Sequence, residues 1–468
     1  MADHRAKTLS ARVIAMLIVL AAIGYWIAFS IPIAAPAIFA SLISLCVLSR
    51  VTTARRAFYV GLIAGIAMYA PHLWFFLEIF GWRAPLIWLI TGWPIGAFVL
   101  LLFLVRRRFH ETWVCILTPF FWTGIEFFRS ELYPLRFAWM LPGEVVAFLP
   151  GVGWTCLGVY GIGFIYIASA AFVVSTQKRL RFAGAAITIV AVVFMYLPSR
   201  QPETTGLLHV AGVQLENPGI QQVADALDRL AVAHPEAQIL VLSEYTFHGP
   251  VPDLVRRVLQ KHQRYLIAGG MHFLPGDDFY DTAFVVGPDG QDVFEQGKSV
   301  PVQFMDDGLP APSRRVWESP WGKIGTGICY DVSYALVCDD FVRQGAQGLI
   351  FPTMDLASWG DHERRMLHGA LAPIRSAEYG VPVFSVWSSG VSQLTGQHGK
   401  TIATAGYPGQ GEMIAGRFDL SQVGHLPPDR WLAWAAVVIT GQLVLFFAIQ
   451  SLGARLRRPV SADFVVAK

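Results

Sequence analysis

Three residues far apart in the chain carry side chains suited to acyl chemistry: Glu244, Lys298 and Cys329. Cys329 lies in Gly325-Thr-Gly-Ile-Cys329-Tyr-Asp331, where an apolar, glycine-thinned strand ends and a helically spaced segment, Val332 to Gln344, begins. A thiol at a strand-to-helix junction faces the partial positive charge of a helix N-terminus, which favours thiolate, the nucleophilic form. A thiol attacking an acyl carbon also needs a base to take its proton and return it to the leaving group, and a cation beside the developing oxyanion. Glu244 closes the apolar run Gln238-Ile-Leu-Val-Leu-Ser243, and Lys298 closes Val293-Phe-Glu-Gln-Gly297. Each of the three ends a predicted strand, so a sheet could bring them to one edge. Lys323, in a turn near Cys329, is the rival cation, and Cys338 in the following helix reads as a core residue.

The order Glu, Lys, Cys at strand ends, with Cys followed by Tyr and an acid, resembles the carbon-nitrogen hydrolase (nitrilase) superfamily over residues 205 to about 425. That resemblance implies an α-β-β-α sandwich with Glu244, Lys298 and Cys329 as catalytic triad, and no cofactor or metal. Several stretches are similar to the apolipoprotein N-acyltransferase branch: Lys298-Ser-Val-Pro-Val-Gln-Phe304, Ile328-Cys-Tyr-Asp331, Thr353-Met-Asp355 through Trp359-Gly-Asp361, and Ile374-Arg-Ser-Ala-Glu-Tyr-Gly380. The branch implies a ping-pong reaction in which Cys329 takes an acyl chain from a phospholipid as a thioester. The chain then passes to the α-amino group of a protein's N-terminal residue. This sequence departs from the branch at Asp331, where a Glu is usual, at Met354, where an Asn is usual, and at Ser388-Ser389-Gly390 in place of Asn-Asn-Gly. The further catalytic Glu expected beyond the lysine has Asp306 and Asp307 as its nearest acids. The departures bear on the substrate more than on the thiol chemistry. They leave open a membrane-anchored amidase using the same triad, or an inactive assembly protein like the nitrilase-like membrane proteins of conjugative-transfer operons.

The elements that must position these residues fall into two classes. The chain has 468 residues, 54% hydrophobic and 15% charged, which is not the composition of an ordinary soluble protein. The apolar excess is localised, and a bilayer-crossing helix needs about 20 such residues. Candidate spans are 12–30, 33–49, 57–77, 85–105, 113–128, 152–175, 181–197 and 431–452. Residues 1–198 therefore read as a multi-pass α-helical membrane domain of about seven helices, 205–428 as an α/β catalytic domain, and 431–452 as a last span. Basic clusters at Arg5 to Arg12, Arg50 to Arg56, Arg106 to Arg108, Lys178 to Arg181 and Arg455 to Arg458 all fall on one side with this count. The positive-inside rule makes that side cytoplasmic, with 205–428 on the outer face of a bacterial inner membrane. A net charge of +3, with the basic residues placed between spans, argues against nucleic acid as a partner. An outer segment, Arg129 to Pro150, carries Glu131, Arg136 and Glu144 among aromatics. It reads either as an interfacial loop or as the lining of a lipid route, and Glu126 and His72 carry the same two readings. Cys46, Cys115 and Cys156 fall within or beside spans as small apolar residues.

Overall fold

The computed structural model describes residues 9–198, 208–360, 367–407 and 411–456. Its first part is all helix: α1 (Ala11–Ser30), α2 (Ile38–Leu48), α3 (Ala54–Tyr69), α4 (Phe76–Phe80), α5 (Ala84–Arg108), α6 (Glu111–Phe127), α7 (Val159–Val173) and α8 (Lys178–Tyr196). Ser10 and Thr53 cap the first turns of α1 and α3 with their hydroxyl oxygens, satisfying backbone N–H groups that have no intrahelical partner. Among the described residues, four helical stretches are long and apolar enough to cross a bilayer: Ala11–Ser30, Phe76–Arg108, Lys178–Tyr196 and Asp429–Gly453. Exposed apolar side chains such as Met16, Ile23, Leu86 and Ile189 stud these helices.

Every candidate span contains helix, but several are shorter than the hydropathy suggests. The helix of the 57–77 segment runs to Tyr69, with Ala70 still helical and donating to the Ile66 carbonyl, and Pro71 lacks the N–H that a further turn would use. The span drawn from 152 to 175 is corrected. Residues 150–157 form a 3-10 run bent 99° away from α7, and only the latter continues along the span. Gly158 makes the bend at φ +92, and a Cβ there would lie 1.8 Å from the carboxyl carbon of Asp429. Asp429 opens the last helix, α13 (Asp429–Leu456), and accepts the backbone N–H of Gly161 at 3.0 Å.

The second part alternates strand and helix and forms two six-stranded mixed sheets, one ordered β12 (Met413–Arg417), β1 (His209–Val213), β2 (Ile239–Val241), β3 (Tyr265–Phe273), β4 (Phe279–Val286), β5 (Asp292–Gly297), the other β11 (Thr401–Thr404), β10 (Gln393–Thr395), β9 (Val383–Trp387), β8 (Gly348–Thr353), β7 (Gly322–Thr326), β6 (Val316–Ser319). Three strands matter most for the site: β2 (Ile239–Val241), β5 (Asp292–Gly297) and β7 (Gly322–Thr326). The sheets pack face to face through Val210, Val241 and Ile267 of one and Ile324, Ile350 and Phe384 of the other. Strands buried on both faces read as continuous apolar runs, which is why the sequence shows them so clearly. Helices α9 (Ile220–Ala233) and α10 (Asp253–His262) cover the outer face of the first sheet with Leu227, Leu230 and Leu259. Helices α11 (Ala335–Arg343) and α12 (Leu371–Tyr379) cover the second, completing the expected α-β-β-α sandwich. Their residues Val337, Phe341 and Ile374 share one apolar core with the membrane-type helices, so the sandwich sits on the helical part by this face. Of the helix expected over Glu363 to Tyr379, residues 367–369 are helical and, after a turn at Ala370, α12 follows, while 361–366 lie outside the described residues.

Candidate active site

Strand ends do bring Glu244, Lys298 and Cys329 together. Glu244 follows β2 by three residues, on a turn packed so tightly against β3 (Tyr265–Phe273) that a Cβ on Gly269 would stand 2.4 Å from the Glu244 Cα. Its Oε1 accepts from Lys298 Nζ at 2.6 Å and its Oε2 from the backbone N–H of Met354 at 2.7 Å. Lys298, directly after β5, is 1% exposed, and its backbone N–H and C=O are bonded to Asp281 and Ala311. Its ammonium also lies 2.7 Å from Asp307 Oδ2 and 3.4 Å from Asp281 Oδ2. Cys329 is 8% exposed, holds φ +46, and has its Sγ 3.9 Å from the Met354 carbonyl and within hydrogen-bonding reach of Glu244.

A positive φ at a non-glycine residue costs on the order of 1–3 kcal/mol and persists only where its surroundings enforce it. Asp331 supplies that enforcement. Its carboxylate accepts from the backbone N–H groups of Ser299, Val300 and Ile328 at 2.9–3.2 Å, tying the turn at Cys329 to the segment that follows Lys298. Burial pushes this carboxyl up to about 6, against the pull of those N–H donors and of Lys298. From below, Arg375 is fully buried. It donates to the carbonyls of Val332 and Ser333 at 2.8 and 2.6 Å and pairs with Glu378, while Trp139 Nε1 donates to Ser333 Oγ at 2.8 Å.

The expectation of a helix-stabilised thiolate is corrected. Cys329 opens a short 3-10 turn, Cys329–Ser333, and α11 begins only at Ala335. The N-terminus of α11 is taken by Glu131, which accepts from Ala335 N at 2.8 Å and Leu336 N at 3.1 Å, and from Tyr160 Oη at 2.9 Å. Burial, reinforced by the Glu244 carboxylate, pushes the Cys329 thiol well above its ordinary value; Lys298 opposes this without overcoming it. Burial also works against charge on Glu244, yet Lys298 and its other hydrogen-bond partners outweigh it and hold the carboxyl below its usual range. The site therefore sets a buried thiol beside a carboxyl whose ionised form Lys298 favours, and beside that lysine's ammonium.

The remaining candidates sort plainly. Lys323 is 44% exposed and pairs with Glu318, away from the cluster. Asp306 is exposed, whereas Asp307 accepts from Tyr245 Oη, Val302 N and Lys298 Nζ. Cys338 is buried and free, as are Cys46 and Cys115. Glu131 and Glu144 are buried structural acceptors, Glu144 for the backbone N–H of Leu141. Sequence reading missed Asp281, which is 0% exposed beside Lys298. The hairpin register was the available signal: Thr282 pairs with Gly297, so the residues one step further out are Asp281 and Lys298.

Cys329, Glu244 and Lys298 stand at the polar end of a largely apolar pocket. Its walls come from both halves of the chain, with Phe76, Phe80 and Ile87 from the helical part and Phe304, Met305 and Trp387 from the sandwich. Arg136 and His368 also line it.

Residues 217–427 match the family model for carbon-nitrogen hydrolase. This part of the chain is a carbon-nitrogen hydrolase domain. Residues 14–172 match the model for the apolipoprotein N-acyltransferase N-terminal domain. The apolipoprotein N-acyltransferase of Gloeobacter violaceus is 23% identical, with 79% of this chain and 81% of that protein covered. The omega-amidase NIT2-B of Xenopus laevis is 26% identical over 38% of this chain and 70% of its own length, and the omega-amidase NIT2 of Danio rerio is 28% identical over 31% and 60%. The solved structure of Saccharomyces cerevisiae Nit3, a member of branch 10 of the nitrilase superfamily, aligns at 20% identity. It covers 47% of this chain and 93% of its own, with a TM-score of 0.40.

Proposed function

We propose that this protein is a membrane N-acyltransferase that moves an acyl chain from a phospholipid to the amine of a protein N-terminus through a thioester on Cys329. The observation that carries the reading is the cavity: an apolar chamber walled jointly by the helical part and the sandwich, ending at the thiol. A soluble amide needs no such wall of helix-borne phenylalanines, whereas a fatty chain does.

In this mechanism Glu244 takes the proton of the Cys329 thiol as sulfur attacks the ester carbonyl carbon. The ammonium of Lys298 lies beside the oxyanion of the tetrahedral intermediate. Collapse breaks the carbon–oxygen ester bond, and Glu244 returns the proton to the departing lyso-lipid alkoxide. The incoming amine then attacks the thioester, Glu244 accepts its proton, and the sulfur leaves and is reprotonated. In this reading the basic clusters between the spans face the cytoplasm and the sandwich lies outside, at the outer leaflet of a bacterial inner membrane.

A second reading, an amidase that turns over on water, is favoured by the likeness to the omega-amidases. Intact-mass analysis separates the two. An acyltransferase purified in detergent and incubated with phospholipid alone carries an adduct with the mass of one fatty acid minus water, released by hydroxylamine. Cys329→Ala never carries it, and Cys338→Ala still does. Wild type that stays bare with every phospholipid, yet releases ammonia or an amine from amides, refutes the acyltransferase reading.

A further inference from the structure

Three carboxyl groups, Glu244, Asp281 and Asp307, have oxygens within 4.8 Å of one another, with a single ammonium, Lys298, among them. All four side chains are buried. Three negative charges against one positive charge among buried side chains is an unstable arrangement, and such a cluster relieves it by keeping a proton. Hydrogen-bond donors identify where that proton resides. Asp307 receives three, from Tyr245, Val302 and Lys298. Glu244 receives two, from Lys298 and Met354. Neither oxygen of Asp281 receives any among the described residues, and the Lys298 ammonium stands 3.4 Å off. A carboxylate with no donors is the costliest of the three to ionise, while a carboxylic acid in its place has a proton of its own to donate. The groups that face it are Glu244, Lys298 and Asp307, with the Tyr245 hydroxyl also close by, and Glu244 is the acceptor within reach.

We propose that Asp281 stands as a neutral carboxylic acid donating a hydrogen bond to Glu244, a positioning residue that holds the base toward Cys329 and keeps a third negative charge out of the site. Its value for the reaction rests on the reading of Glu244 as base; its protonation does not. Burial and the neighbouring Glu244 charge push the Asp281 carboxyl well above the carboxylate range, in the same direction as the donor count. The pair shares one proton, so at low pH both carry one and Glu244 ceases to accept from the thiol.

The test uses the full-length protein in detergent, labelled with carbon-13 at aspartate, and infrared difference spectra of wild type against Asp281→Asn at neutral pH. The expected result is a protonated-aspartate carbonyl band present in wild type and lost in the variant. Asn supplies an N–H donor in the same place, so Asp281→Asn keeps the acyl-transfer rate within about ten-fold of wild type, while Asp281→Ala, which removes the donor, loses about 10-fold to 100-fold. A difference spectrum without a lost acid band overturns the proposal, and so does Asp281→Asn falling as far as Asp281→Ala. If the band is lost as expected but no phospholipid loads Cys329 in wild type, the acyltransferase reading fails and the protonated Asp281 stands.

Discussion

Replacing Glu244 by Gln separates the two jobs that the geometry gives this residue. The carboxylate accepts from Lys298 at 2.6 Å through one oxygen and from Met354 N at 2.7 Å through the other. A carboxamide has only one oxygen, so in either orientation its NH2 group faces a donor and one of the two bonds is lost. That costs about 1–3 kcal/mol of stability, a few degrees in melting temperature for a protein of this size. The loss of a general base costs turnover about 10²–10⁴-fold. The thiol responds in the opposite sense. Glu244 is a charged neighbour that, with burial, raises the Cys329 pKa, because a carboxylate beside sulfur disfavours thiolate. With that charge gone and Lys298 still in place, thiolate appears at lower pH. The assay is a pH titration of thiolate ultraviolet absorbance in Glu244→Gln, with Glu244→Gln/Cys329→Ala as the blank, run beside acyl-adduct formation and turnover. Turnover within ten-fold of wild type would remove Glu244 from the mechanism. A Cys329 pKa that rises in Glu244→Gln would refute the electrostatic argument.

Lys298→Met removes the cation that three buried acids face, so turnover falls about 10²-fold or more and stability drops by roughly 3–5 kcal/mol; a melting temperature equal to wild type contradicts the charge accounting. Arg375→Ala strips Glu378 of a buried partner and the carbonyls of Val332 and Ser333 of their donor, for a loss of about 3–5 kcal/mol in thermal unfolding, far from the thiol in sequence. A loss below about 1 kcal/mol, the value of an exposed pair, shows that Arg375 is not the strut described. A reporter active only outside the cytoplasm is expected to work when fused after Gly206 and to fail when fused after Arg458, and the reverse pattern overturns the orientation.

How far the sequence could be read depended on the range of the interaction concerned. Glu244, Lys298 and Cys329 were legible because each follows an apolar strand, and a strand shows itself within six or seven residues. The apolar helices of the first part were legible for the same reason, since hydropathy is a local sum. What escaped depends on partners distant in the chain. The 99° break before α7 is enforced by Asp429, whose carboxylate reaches Gly161 from 268 residues away, and nothing in the apolar run at 152–175 announces it. Glu131 looked like an interfacial acid because its partners, Ala335 and Leu336, lie 204 and 205 residues on.

Those long-range contacts also explain why the thiol departs from the simple expectation. A helix that follows a cysteine lends it positive charge only if the helix N-terminus is vacant, and here a residue of the helical part fills it. In the proposed mechanism activation then falls to the groups that remain near sulfur: Glu244, whose ionised form Lys298 favours, as base, and the Lys298 ammonium beside the oxyanion. The arrangement suits an enzyme that must wait between substrates. A standing thiolate invites oxidation and stray acylation, whereas a thiol that loses its proton only as the carbonyl arrives does not. The Glu131 cap links this chemistry to the helical part, because one carboxylate bonds both Tyr160 of α7 and the first turn of α11. Movement of α7 against the sandwich would strain the helix that directly follows the Cys329 turn.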